Sequence, residues 1–129
     1  MLYYHSKVVI GDFEEVITEV IAALKTEGFG VLTQIDVTQT LKEKINVDFQ
    51  KYRILGACNP AFAYKALQAE DKIGTMLPCN VIVQEKSDGS IEIASINPMI
   101  SMQAVGNMAL ESIALEIQNK LHKVIDSLQ

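Results

Sequence analysis

Two cysteines, each followed by an asparagine, are the residues of this chain best equipped for chemistry: Cys58-Asn59-Pro60 and Pro78-Cys79-Asn80. A thiol with an ordinary pKa of ~8.5 is only a few per cent ionised at neutral pH, and nearby positive charge raises its reactivity by favouring the thiolate. Asn59-Pro60 reads as a helix entrance, because asparagine caps helices and proline suits the first helical position. Cys58 then stands where unpaired amides and the helix dipole supply that charge. The position equally suits a small buried hydrophobe, a common role of free cysteine.

Cys79 opens the strand after Pro78. If that strand lies antiparallel to the one ending at Cys58, both thiols and both amides meet at one sheet edge. Tyr52 shares strand parity with Cys58 and faces the same way. Cys58, Asn59, Cys79, Asn80 and Tyr52 are therefore the candidate ligand-binding residues. In a thiol enzyme or redox sensor, Cys58 would react and Cys79 would resolve. In the plainer alternative, the asparagines only bond backbone groups at turns.

Other chemistries lack their residues. Two cysteines twenty-one positions apart match no zinc motif, and only His5 and His122 could complete a set. The phase of each histidine places it on a polar side, so both read as solvated and no metal or cofactor is expected. The chain has no glycine-rich phosphate loop, nucleophile elbow or Cys-x-x-Cys. Arg53 points opposite to Tyr52, toward a surface carboxylate. Met76, Met99, Met102 and Met108 gather near loops, where flexible side chains suit an adaptable pocket or irregular core packing.

The elements that must position these residues follow from patterning. Residues 3–10 read as a strand. Asp12 starts a helix, with Glu15 as a capping-box partner and Gly28 as the stop. Residues 29–37 read as a second strand with Phe29, Val31, Ile35 and Val37 on one face. A short helix over 38–45 is expected to be capped by Thr38, with Leu41 and Ile45 inward. A third strand over 52–58 leads through Asn59 into a helix to about Ala69. Strands over 79–86 and 90–96 join at Asp88-Gly89, a hairpin turn pair. From about Gln103 a long helix carries Leu110, Ile113, Ile117, Leu121, Val124, Ile125 and Leu128 as one stripe. Leu115 lies alone on its polar side. This order predicts a single α+β domain over 1–129: one mostly antiparallel sheet of about five strands with helices on one face.

The 129 residues carry a net charge of −5, one arginine and ten scattered lysines, which excludes an electrostatic grip on nucleic acid or on anionic membranes. No apolar run approaches the ~20 residues of a membrane span. The N-terminal residues do not read as a signal peptide, and two cysteines fit reduced thiols, so a cytoplasmic address is expected.

Gly56-Ala57-Cys58-Asn59-Pro60, residues 63–67, Ile73-Gly74 and Leu77-Pro78-Cys79-Asn80-Val81 together resemble domain-of-unknown-function family 302. The Gly28-Phe29 step, the Asp88-Gly89 hairpin and the Asn97-Pro98 break are similar to that family too. The resemblance spans essentially the whole chain. It implies a curved antiparallel sheet with helices, a TATA-binding-protein-like arrangement, and a homodimer. It implies no activity, and a fold likened to a DNA-binding protein does not carry DNA binding with it. The leading expectation is a homodimeric small-molecule-binding domain with its site at the Cys-Asn turns. The alternatives are a thiol enzyme or sensor, and a structural interaction module.

Overall fold

Alternation of apolar and polar residues along the central strands decides the architecture. The computed structural model describes residues 2–129. Strands β1 (Tyr4–Val9), β2 (Gly30–Asp36), β3 (Tyr52–Cys58), β4 (Cys79–Glu85) and β5 (Ile91–Ile96) form one sheet in the order β1-β5-β4-β3-β2. Every neighbouring pair is antiparallel. The helices are α1 (Phe13–Thr26), α2 (Val37–Ile45), α3 (Pro60–Ala69), α4 (Pro98–Ser101) and α5 (Glu111–Ser127). The α+β class and the antiparallel sheet stand as expected.

Since strand side chains alternate between faces, one row must be buried. Leu55 and Ala57 on β3, Val81 and Val83 on β4, and Ile91 and Ile93 on β5 form that row. They pack in one cluster with Val16, Ile17, Val20 and Leu24 of α1 and Ile117, Leu121, Val124 and Ile125 of α5. The opposite row, Tyr52, Ile54, Asn80, Ile82 and Gln84, stays partly or fully accessible. Burial on one side alone fixes the register, because a slip of one residue would turn the core outward.

Local chemistry sets the boundaries. Asp12 accepts from the Glu15 amide at 3.1 Å to start α1, and Gly28 ends it at φ +86°. At the β4–β5 turn, Gly89 takes φ +85° and Asp88 Oδ1 accepts from the Ser90 amide at 2.9 Å. No helix is long and apolar enough to cross a membrane among the described residues.

Four expectations change. A β-bulge between Val31 and Thr33 reverses the parity of β2. Phe29 therefore faces the core, whereas Ile35 is half-exposed beside Ile54 on the open face, and Val37 begins α2. Asp36, not Thr38, caps α2, and that helix buries no side chain. Thr38 instead donates to the Gln50 carbonyl at 2.6 Å and accepts from the Tyr52 amide at 3.0 Å. The last helix begins at Glu111, because α4 and two 3-10 turns occupy 98–110.

Gly56 marks the tightest backbone approach. A Cβ there would stand 2.8 Å from Pro78 Cγ and press still harder on Thr33 Oγ1. Neither the proline ring nor the bulged strand can retreat freely. Gly56→Ala is expected to cost roughly 1–3 kcal/mol, read by urea denaturation.

Candidate functional site

The five candidate residues do not converge on one cavity. Cys58, Asn59 and Cys79 line a crevice between the sheet and α3 with a volume of about 20 Å³, room for roughly one water. Tyr52 and Asn80 line a different concavity of about 370 Å³ on the open face of the sheet. Pairing explains the division. Cys79 lies opposite Ala57 and points to the core, whereas Asn80 lies opposite Gly56 and points outward.

The Cys-Asn turns are packing joints. The Asn59 amide makes no cap bond for α3, contrary to expectation, and donates to the Glu27 carbonyl at 3.2 Å. Its nitrogen sits 3.1 Å from where a Gly28 Cβ would stand. Asn59 thus fastens the start of α3 to the end of α1 and needs Gly28 beneath it. Cys58 is partly buried and Cys79 buried, both as free thiols. Burial first, and the neighbouring Cys58 second, push the Cys79 thiol up to about 11. Cys79 is therefore protonated at neutral pH and unsuited to thiolate chemistry.

The open-face concavity has a different composition. Ile82, Ala94 and Ile96 make an apolar floor, and Tyr3, Tyr4 and Tyr52 stand around it with Asn80, Gln84 and Glu92. The hairpin register sets Gln84 opposite Glu92, and Tyr52 lies opposite Gln84. Gln84 accepts from Gln50 Nε2 at 2.6 Å and donates to Glu92 Oε1 at 3.0 Å. Its amide orientation is thereby fixed and the carboxylate held. Lys86 reaches the same Oε1 at 3.4 Å from the surface. Burial raises the Tyr52 phenol above its ordinary value, with Tyr3 and Glu92 adding to the rise.

The N-terminal wall depends on Asn97. Its backbone amide donates to the Tyr3 carbonyl at 2.7 Å, and its side-chain amide donates to the Leu2 carbonyl at 3.3 Å. Its side-chain oxygen accepts from the Met99 amide at 3.0 Å and caps α4. Sequence reasoning used Asn97-Pro98 only as a break and did not assign Tyr3, Tyr4, Gln84 or Glu92. Strand parity linking Tyr52 to Gln84 and Glu92 is the signal that could have found the last two.

The histidines also differ from expectation. His5 and His122 stack with ring centroids 4.0 Å apart, and His5 Nε2 lies 2.8 Å from Asp126 Oδ1. They join β1 to α5 rather than facing water separately. Burial lowers the pKa of His122, His5 adds to the effect, and Asp126 opposes it. No cluster of three or more His, Cys, Asp or Glu side chains suited to a metal ion occurs among the described residues. Arg53, as expected, meets a carboxylate, contacting Glu14 at 2.7 and 3.2 Å. Met99, Met102 and Met108 line a further concavity of about 580 Å³ beside α4 and the start of α5.

A five-stranded antiparallel sheet, backed by helices on one face and hollowed on the other, defines a small α+β fold. The chain belongs to the family of domains of unknown function DUF302, whose pattern it matches over residues 5–128. It superposes on the crystal structure of an uncharacterized conserved DUF302 protein from Bacillus stearothermophilus with a TM-score of 0.93 and 32% identity, over 100% of both chains. An uncharacterized protein of Aquifex aeolicus (strain VF5) is 29% identical over 96 residues. That match covers 74% of this chain, and 60% of the length of the relative.

The Cys79 geometry yields two expectations. Iodoacetamide should modify Cys58 in the native protein and reach Cys79 only on unfolding, as read by peptide mass spectrometry. A thiol whose folded pKa is raised adds stability while it stays protonated in both states, and loses it as pH rises from the ordinary thiol value through about 11. Urea stability should therefore fall more steeply from pH 9 to 11 (approximate bounds from the thiol range) in the parent than in Cys79→Ala.

Proposed function

We propose that this domain binds a small organic molecule in the concavity on the open face of its sheet. The supporting observation is that the bonded pair Gln84 and Glu92, with the exposed Asn80, stands over the apolar floor formed by Ile82, Ala94 and Ile96 within one hollow of about 370 Å³. Pockets of ~300–1,000 Å³ with a few fixed polar groups are typical of small-ligand sites. The reading keeps Tyr52 and Asn80 as ligand contacts and moves the site away from the thiols.

Titration of isotope-labelled protein with a panel of small neutral, cationic and anionic organic compounds tests it. At least one compound should shift the amide resonances of Asn80, Ile82 and Ala94 together and saturably. Asn80→Ala should weaken that compound roughly fivefold, the scale of one lost hydrogen bond. A panel that leaves all three resonances unmoved overturns the reading.

Assembly as a homodimer is a second reading, supported by apolar side chains left in water. Leu115, on α5, is 47% exposed, and Met108, in the turn before that helix, is 84% exposed. If this flank of α5 joins two copies, sedimentation should give twice the chain mass for the parent and a single chain mass for Leu115→Glu. A monomeric parent overturns it.

A further inference from the structure

We infer that the ligand of the open-face site carries an organic ammonium group, held between the three tyrosines and the Glu92 carboxylate. The inference rests on the site reading above and adds the charge and chemical class of the occupant.

Three tyrosine side chains border one hollow on a chain with four tyrosines in all. Aromatic faces are electron-rich and attract cations, ammonium ions included, most strongly where water is displaced. Tyr3 and Tyr4 meet edge to face with centroids 4.9 Å apart, so their rings present differently oriented surfaces. Tyr3 is held in place through the backbone bond from Asn97. Tyr52 rises on the other side of the Gln84–Glu92 pair in the strand register.

The carboxylate supplies the matching charge. Glu92 is mostly shielded, and its hydrogen bond from Gln84 and its approach by Lys86 both fall on Oε1. No lysine, arginine or histidine lines the hollow among the described residues. A cation there meets the three tyrosines and a carboxylate that Lys86 approaches only on Oε1, at 3.4 Å from outside the lining. Burial chiefly raises the Tyr52 phenol, with Tyr3 and then Glu92 adding to the rise, so the ring lies within reach of the carboxylate's charge. Asn80, exposed at the start of β4, is placed to accept from or donate to a polar group on the rest of the ligand.

Choline and 3,3-dimethylbutan-1-ol share a shape and differ in charge, so the pair isolates the ammonium term. Each is titrated into labelled protein at matched ionic strength, with the Tyr4, Gln84 and Ala94 amides as reporters. Choline should bind about tenfold more tightly than the neutral alcohol, within the range of a desolvated cation on aromatic rings. Glu92→Gln keeps the acceptor for Gln84 and removes the charge, and should erase most of that preference. Tyr52→Leu should weaken choline more than the alcohol, giving a second variant independent of the carboxylate. Equal affinity for the two compounds, or preference for the alcohol, overturns the ammonium assignment and leaves the site itself standing. Silence of the reporters toward both also overturns it, while the broader compound panel separately decides the site.

Discussion

Everything in this molecule depends on burying one face of one sheet. The row from Leu55 through Val81 and Val83 to Ile91 and Ile93 has α1 and α5 as its cover. Removal of this apolar surface from water is the main driving force available to a chain without tryptophan, disulfide or metal cluster among its described residues. Because strand side chains alternate, the same register that closes the core also lays out the opposite row. Tyr52, Gln84 and Glu92 stand side by side because Leu55, Val83 and Ile93 must meet the helices.

The family-marking residues acquire a physical meaning within this frame. Gly28 and Asn59, thirty-one positions apart, form a single joint in which the missing side chain of one admits the amide of the other. Gly56 does the same for Pro78 and Thr33, allowing the turn before β4 to lie flat against β3. These are close-packing requirements at the end of the sheet, and they explain why the Cys-Asn turns are next to each other around no more than a crevice of about 20 Å³. The polar groups free to meet a solute lie further along the open face.

Much of the fold could be read from residue order. Strand and helix periodicities located the five strands, α1, α3 and the buried stripe of α5, since each follows from its own alternation or its own 3.6-residue repeat. The departures arose where a local signal competed with a tertiary one. The extra residue in β2 reversed Ile35 because a bulge leaves no mark in composition. The start of α5 was read too early because 98–110 is apolar enough to continue a helix yet is broken into short turns. Cys58 and Cys79 were correctly brought near each other by antiparallel pairing, but proximity of backbones did not entail a shared cavity. The His5–His122 stack escaped notice because it joins elements 117 positions apart through the flank of a helix rather than its apolar face. Tyr3 was invisible for a similar reason: its position is set by Asn97, ninety-four positions along the chain.

The tyrosines have one more consequence. With no tryptophan present, the near-ultraviolet absorption and emission of this protein arise largely from four phenol rings. Three of them border the open-face hollow, and the fourth, Tyr64, sits exposed on α3. The intrinsic optical signal is thus concentrated on a single surface, leaving the buried core spectroscopically almost silent. Occupation of that surface would be reported by the molecule itself, without a label.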